Sequence, residues 1–172
     1  VVGDVFVGGA GADNFGGTAG RDNASGGGGN DSLTMAGADA IVSGDGGNDT
    51  ISTGAGNDII RFTNGTGGFD AINGGTGTDQ IQAMANNTVI GLVSLAGVES
   101  ITGGAFTNVT ILGSGAANTL NFSAVTLTNI AFIDGGSGND KITGTSGGDV
   151  IFGSGGADTI NGRIDRLVIT DT

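Results

Sequence analysis

The sequence predicts an all-β fold in which short strands stack as the coils of a solenoid. A nine-residue unit recurs along most of the chain, and GDGGNDTIS (44–52) and TGAGNDIIR (53–61) are two consecutive copies. In each copy a glycine-rich turn ends in Asn-Asp, and an aliphatic residue stands two positions after the aspartate. A fixed period of this kind indicates a repeat architecture, in which each unit stacks on its neighbours.

The composition supports a thin core and excludes several classes of protein. The 172 residues suffice for one domain or for one segment of a longer solenoid. There are 39 glycines and no proline, but the glycine at every third position that collagen requires is absent. A hydrophobic content of 37% is too high for a disordered tail. Neither Cys nor His occurs, which removes disulfides and the commonest general base.

The charge of the chain is strongly acidic and comes almost entirely from aspartate. The formal net charge is −12, with sixteen Asp and one Glu, Glu99. A preference for the shorter carboxylate indicates tight turns in which the oxygens lie close to the backbone. No basic patch is present to bind nucleic acid, and no apolar run approaches the ~20 residues that span a bilayer. Because the chain begins VVGDVFVGG, we expect a fragment or processed form cut within a repeat.

Residues 1–82 consist almost entirely of the repeat. The aspartates in register are Asp13, Asp22, Asp31, Asp39, Asp49, Asp58, Asp70 and Asp79. Steps of nine dominate, but steps of eight and ten flank Asp39, and a three-residue insertion precedes Asp70. The residues two positions after these aspartates are predicted to be buried: Phe15, Ala24, Leu33, Ile41, Ile51, Ile60, Ile72 and Ile81.

Residues 83–134 form a second segment, in which no aspartate occurs before Asp134. Apolar and small polar residues alternate, which favours strands. The stretch Gly113–Asn121 keeps the outline of the repeat, with Asn118 in the place of the aspartate and Leu120 in the buried place. The spacing within 95–101 also fits one short amphipathic helix, although glycine and β-branched residues oppose it. The interpretation we favour is a solenoid that continues without metal.

Residues 135–162 resume the unit at strict nine-residue spacing. They carry Asp140, Asp149 and Asp158, each followed two positions later by isoleucine. Residues 163–172 break the pattern, and are either an edge cap or the start of a following element.

The units GGGGNDSL (26–33) and GGSGNDKI (135–142) fit the motif G-G-x-G-x-D-x-U-x. The chain thus resembles the RTX (repeats-in-toxin) family, whose nonapeptide of this form binds calcium. Glycines admit positive φ and turn carbonyl groups into the loop. Carbonyl and carboxylate oxygens together favour Ca²⁺ over Mg²⁺. The predicted ligands are Asp13, Asp22, Asp31, Asp39, Asp49, Asp58, Asp70, Asp79, Asp140, Asp149 and Asp158.

The resemblance implies a right-handed parallel β-roll or β-helix in which two units form one coil and each ion bridges two successive turns on one side. The implied bridges, about seven ions in all, are Asp13/Asp31, Asp22/Asp39, Asp31/Asp49, Asp39/Asp58, Asp49/Asp70, Asp58/Asp79 and Asp140/Asp158. Family members leave the cell unfolded through a one-step secretion system and fold outside in calcium. Calcium-dependent folding is therefore expected for the aspartate-bearing blocks.

Other classes of protein fit the sequence less well. A flexible glycine linker would lack the regular aliphatic residues. A metal-free solenoid with solvated aspartates remains an alternative for both blocks. Catalysis is not expected, because the carboxylates repeat identically and the hydroxyls have no His partner. Ice binding, known for some relatives, needs a uniform outward row, and the variable turn positions hold mixed residues.

Two functional hypotheses follow from the resemblance. The first is a structural segment of a secreted surface protein (a surface layer, fibre or adhesin) that binds calcium and assembles with copies of itself. The alternative is the C-terminal folding and secretion module of a secreted enzyme such as a protease or lipase. The metal-free middle favours the first, because a secretion module needs only the repeats.

Overall fold

The computed structural model describes residues 2–63, 67–162 and 164–168, the last as backbone only. These residues form nineteen β-strands and no helix. The strands are β1 (Val5–Val7), β2 (Asn14–Gly16), β3 (Asn23–Ser25), β4 (Ser32–Thr34), β5 (Ile41–Ser43), β6 (Thr50–Ser52), β7 (Ile59–Phe62), β8 (Asp70–Asn73), β9 (Gln80–Ala83), β10 (Val89–Ala96), β11 (Ser100–Thr102), β12 (Thr110–Gly113), β13 (Thr119–Asn121), β14 (Thr126–Thr128), β15 (Ile133–Asp134), β16 (Lys141–Thr143), β17 (Asp149–Phe152), β18 (Thr159–Asn161) and β19 (Ile164–Val168).

The strands stack in three sheets whose paired strands are all parallel. Sheet I has the order β1-β3-β5-β7-β9-β11-β14, and sheet II runs β2-β4-β6-β8-β10-β12-β15-β17-β19. Sheet III contains β13, β16 and β18. Up to β11 the strands alternate between sheets I and II, so two successive units make one coil. The parallel β-solenoid predicted from the repeat is confirmed.

The register follows the nine-residue unit, because partners in neighbouring coils are eighteen positions apart. Phe15 pairs with Leu33, and Leu33 pairs with Ile51. The insertion before Asp70 lengthens one coil, so that Ile51 pairs with Ile72, twenty-one positions on. The insertion includes residues 64–66, which lie outside the described part of the chain.

The core is a single stack of aliphatic side chains between the sheets. Leu33, Ile51, Ile60 and Ile81 are each at most 1% exposed. Because side chains alternate along a strand, each three-residue strand of the repeat blocks sends its central side chain inward and two outward. This explains why the predicted buried positions other than Ile41 hold, with Phe15 half-buried at one end of the stack.

One predicted core residue is wrong. Val42 is fully buried, whereas Ile41 is only partly covered. Val42 pairs with Ala24 on one side and with Ile60 on the other. A one-residue slip would turn the side chains of β5 to the opposite face. The strands therefore keep the eighteen-residue register, and the irregular eight-residue spacing before Asp39 affects only the turn.

The middle segment continues the solenoid, as predicted. β10 covers Val89–Ala96 and β11 starts at Ser100, so the stretch 95–101 is not helical. Strands β12, β13 and β14 belong to sheets II, III and I, which makes this coil three-sided. The turns of the middle segment hold three asparagines with positive φ: Asn87 at 60°, Asn108 at 56° and Asn129 at 54°. Asparagine tolerates this left-handed region better than most residues.

The last described strand, β19, extends sheet II by pairing with β17. It covers part of the predicted segment 163–172, of which residues 163 and 169–172 lie outside the described chain. In the described residues, no helix has the length and apolar character needed to cross a membrane.

Candidate metal centres

The aspartates of sheet II form a continuous row, which we call row II. The backbone N–H of Asp13 donates to Oδ1 of Asp31 at 2.8 Å, and that of Asp31 donates to Asp49 at 2.8 Å. The N–H of Asp49 donates to Asp70 at 2.9 Å. Each carboxylate thus lies directly beside the next coil, as the predicted bridges require.

The aspartates beside sheet III form a shorter row, row III. The N–H of Asn118 donates to Oδ1 of Asp140 at 2.7 Å, and the N–H of Asp140 donates to Asp158 at 2.9 Å. The structure thus brings together the predicted pair Asp140 and Asp158. Asn118 takes the place of an aspartate at the start of this row, as the sequence predicted.

Row I, beside sheet I, is less regular. The residues at its successive places are Asp4, Asp22, Ala40, Asp58, Asp79 and Glu99. The N–H of Ala40 donates to Oδ1 of Asp58 at 2.6 Å, and that of Asp58 donates to Asp79 at 2.8 Å. At the far end, the N–H of Asp79 donates to Oε2 of Glu99 at 2.7 Å. Row I therefore lacks a carboxylate at one place and ends in a glutamate.

The predicted stacking of Asp39 on Asp22 and Asp58 is wrong. The regular nine-residue step from Asp31, and the same step back from Asp49, both lead to Ala40, so Ala40 and not Asp39 occupies this place in row I. Asp39 faces outward, with 45% of its side chain exposed. Its Oδ1 accepts the N–H of Asn57 at 2.9 Å. This hydrogen bond, and secondarily the ion pair with Arg21, lower the pKa of Asp39. Asp39 thus occupies the outward place that asparagine holds in other units.

Asp149 lies outside the three rows. Its carboxylate is buried and accepts the backbone N–H and the hydroxyl of Thr145, its own turn neighbour, at 2.7 and 3.0 Å. The adjacent coil of sheet II, at β15, places Ala131 rather than an aspartate beside it. The structure therefore brings Asp149 to a turn but not to a second aspartate.

The rows contain carboxylate oxygens that lack a partner. Oδ2 is buried, with no hydrogen bond to the described residues, in Asp22, Asp31, Asp49, Asp58, Asp79, Asp140 and Asp158. Burying a charged oxygen in this way costs several kcal/mol unless a cation or proton compensates for it. The same oxygen recurs in all three rows, which indicates a common ligand.

The first glycine of the unit leaves space for that ligand. A Cβ added to Gly135 would lie 2.6 Å from Oδ2 of Asp140 and 2.9 Å from the carbonyl oxygen of Gly153 in the next coil. Gly26 has the same two neighbours, Oδ2 of Asp31 and the Gly44 carbonyl. Two oxygens therefore face the space beside the first glycine, a space that any side chain at this position would fill. We call this space the cradle. Calcium–oxygen distances of about 2.3–2.6 Å fit this cradle.

The second and fourth positions of the unit orient the carbonyl groups of the turn. Gly136 and Gly138 have φ of 89° and 114°, a region that side-chain-bearing residues rarely adopt. Within the described residues no three acidic, His or Cys side chains form a cluster. The residues consequently fit a cation held by few carboxylates and several backbone carbonyls, which is the ligand set of calcium.

The electrostatics of the rows also favour a cation. Burial is the main cause that raises the pKa of Asp49, Asp58, Asp79 and Asp140, and a neighbouring aspartate adds to each shift. Burial raises the pKa of Asp70 to about 7. Without a cation these turns therefore hold protons more tightly than the unfolded chain does.

Two places in row I are partly filled by protein atoms. Met35 stands where other units have their first glycine, and its sulfur lies 3.2 Å from the position of a Cβ on Gly17, beside Oδ2 of Asp22. Thr53 also replaces a first glycine, and its hydroxyl donates to the carbonyl of Gly74 at 2.8 Å. These side chains compete for the space and the oxygen that the cation uses elsewhere.

The fold and these turns define a parallel β-solenoid whose turns offer oxygen ligands that fit calcium. The model of the RTX calcium-binding nonapeptide repeat matches four stretches, residues 3–33, 36–63, 64–91 and 134–166, which together cover more than half of the chain. The chain belongs to this family, whose repeats bind Ca²⁺ and whose members are typically secreted. No curated protein matches the chain.

The spacing of the aspartates did not predict Glu99 as a member of row I. The signal was present, because Glu99 stands two positions before the fully buried Ile101, as each aspartate stands before its aliphatic residue. A pattern defined by aspartate alone does not include a glutamate at this place.

Proposed function

We propose that the chain is a rod-like segment of a secreted surface protein that becomes rigid when calcium enters its turns. The observation that carries this proposal is the continuity of sheet II, whose nine strands run from β2 in the first block to β19 in the last. Both repeat blocks and the middle segment thus share one stack. Such a stack transmits force along its length, as a surface layer, fibre or adhesin requires.

The proposed ligands are the aspartates of the three rows together with carbonyl groups of the turns. Asp149 is a further ligand if a carbonyl group of the neighbouring coil completes its turn, and Asp39 is excluded by its outward position. Unit charges one strand spacing apart, about 4.8 Å, repel by about 3.5 kcal/mol at an effective dielectric constant of 20. This repulsion, summed along a row, is comparable with the ~5–15 kcal/mol that stabilises a whole domain.

Calcium-dependent folding is the first test of this proposal. At pH 8 we expect circular dichroism to show weak strand signal in chelator and strong strand signal in millimolar calcium. Magnesium at the same concentration is the control, because its smaller, strictly octahedral shell suits a carbonyl-lined turn poorly. Equal strand signal in chelator and in calcium would contradict calcium-driven folding.

Self-assembly is the second part of the proposal. Among the described residues, β1 pairs only with β3 and β2 pairs only with β4, so these two strands lie at one end of the described stack. The rings of Phe6 and Phe15 stack there with centroids 4.7 Å apart and are only half-buried. The edge of a parallel stack above an apolar core accepts a further coil, and a second copy of this chain can supply it.

Electron microscopy of the calcium-loaded chain distinguishes the two functional classes. Filaments or lattices are expected, and Phe6→Lys should abolish them, because it places a charge at the end of the stack where the further coil would add. Met84→Lys is the control, since this exposed side chain directly follows β9, which is four strands from β1 in sheet I. Monodisperse particles would instead favour a folding and secretion module of a secreted enzyme, a function that needs no assembly. In either case we propose no catalytic role for this chain.

A further inference from the structure

Row I ends in a turn that departs from the repeat. Asn73 pairs with Ala96 and Gln80 pairs with Ser100. The six residues 74–79 of one coil are therefore matched by only three, 97–99, in the next. Residues 97–99 lie outside the stretches that match the family model. A turn of three residues cannot form the six-residue carbonyl loop of the other units.

The oxygens that mark the other metal centres are nevertheless present here. A Cβ added to Gly74 would lie 2.8 Å from Oδ2 of Asp79 and in contact with the carbonyl oxygen of Gly97 in the next coil. This arrangement repeats the cradle at Gly135. Asp79 is 0% exposed, and its Oδ2 has no hydrogen-bond partner in the described chain. A buried, uncompensated oxygen thus points into the gap between the last repeat turn and the short turn.

Glu99 brings a carboxylate to the same gap. Its Oε2 accepts the N–H of Asp79, the contact that an aspartate makes elsewhere in the rows. The additional methylene group of glutamate extends the carboxylate further from its own backbone, which suits a turn that has lost three residues. In the described residues the other oxygen, Oε1, makes no hydrogen bond, so it is available to a cation.

We infer that Oδ2 of Asp79, the carbonyl oxygen of Gly97 and the carboxylate of Glu99 form a further calcium site that closes row I. The site rests on the calcium binding proposed above, and extends it to a residue type and a turn length that the repeat motif does not contain. All three ligands are hard oxygens, and the short, open turn leaves the remaining positions to water. The site therefore joins the calcium-bound block to the middle segment.

The test compares Glu99→Gln with Asp39→Asn in the calcium-saturated chain. Each variant removes one carboxylate charge, and each new amide can still accept the backbone N–H that the carboxylate accepted. Only Glu99 lies beside an unpartnered oxygen. Equilibrium dialysis with metal analysis should show one ion fewer per chain for Glu99→Gln and the wild-type number for Asp39→Asn.

An unchanged ion count in a folded Glu99→Gln variant would overturn the inference and leave Glu99 as an acceptor for the Asp79 N–H alone. If that variant does not fold, Glu99→Asp serves instead, because it keeps the charge but withdraws the carboxylate by one methylene group and should also remove one ion. A wild-type chain that binds no calcium would refute the proposed function itself, which is a separate outcome.

Discussion

At the scale of single residues, the carboxylates divide into those with a buried free oxygen and those without one. Asp49 has such an oxygen and lies between Asp31 and Asp70 in row II. Asp39 stands equally close to a turn but exposes its carboxylate and pairs with Arg21. Asp49 should therefore respond to calcium, whereas Asp39 should not.

Asp49→Asn should therefore remove about two of the bound ions, because Asp49 belongs to the bridges on both of its sides. The amide still accepts the Asp31 N–H, so the backbone contact is preserved. Calorimetric titration with calcium measures the stoichiometry, and Asp39→Asn is the matched control. A wild-type stoichiometry in Asp49→Asn would show that the assigned register is wrong.

Sequence spacing located most of these residues, since a strict eighteen-residue coil places every second aspartate side by side. Spacing gave the wrong residue where a short step and a long step together make one coil of normal length. The step of eight before Asp39 and the step of ten after it add up to two normal units, and spacing alone does not show which residue in between faces the row. Burial decides this, because Val42 continues the core between Ala24 and Ile60.

At the scale of the strand, the register of β5 can be tested by a pair of substitutions. Val42→Ala should lower the free energy of unfolding by about 2 kcal/mol, because it removes two buried methyl groups and leaves a cavity. Ile41→Ala should cost less than about 1 kcal/mol, since Ile41 is only partly covered. Urea denaturation in saturating calcium measures both values. If Ile41→Ala lowered the free energy of unfolding more than Val42→Ala, then Ile41 would be the core residue, as the position of Asp39 had predicted.

The turns of the middle segment show a second way to hold a coil. Asn87, Asn108 and Asn129 recur every twenty-one residues with positive φ, and the Asn108 amide donates to Oδ1 of Asn87 at 3.1 Å. Side-chain amides therefore link these turns where carboxylates and carbonyls do so elsewhere. The sequence did not reveal this period, because the asparagine is the only residue that all three turns share. We infer that these turns form without calcium.

At the scale of the whole molecule, the solenoid combines two blocks whose turns carry rows of aspartate with a middle segment whose turns carry asparagine. The repeat predicted the parallel stack because each unit holds both a turn and a strand, and eleven units agree. The three-sided coil at β12–β14 could not be predicted, since it depends on how three short strands fill the space left by a missing turn. Row III consequently starts on a sheet that the first block does not contain.

The buried carboxylates predict how the stability of the metal-free chain depends on pH. In the unfolded chain an aspartate has a pKa of about 3.9, whereas burial raises the pKa of Asp70 to about 7 and raises those of Asp49, Asp58, Asp79 and Asp140. Between about pH 4 and pH 7 the folded chain thus binds more protons than the unfolded chain. Its stability should fall as the pH rises through this range, by about 4 kcal/mol from Asp70 alone.

Circular dichroism of metal-depleted protein should accordingly show more strand signal at pH 5 than at pH 8. Calcium should reverse this order, because protons compete with the ion for the same carboxylates, and the calcium-loaded chain should unfold at a lower temperature at pH 5 than at pH 8. Asp70→Asn is the matched variant, since it removes the group with the assigned pKa of about 7 and should flatten the metal-free dependence. Greater stability of the metal-free chain at pH 8 would mean that its carboxylates are not buried without calcium.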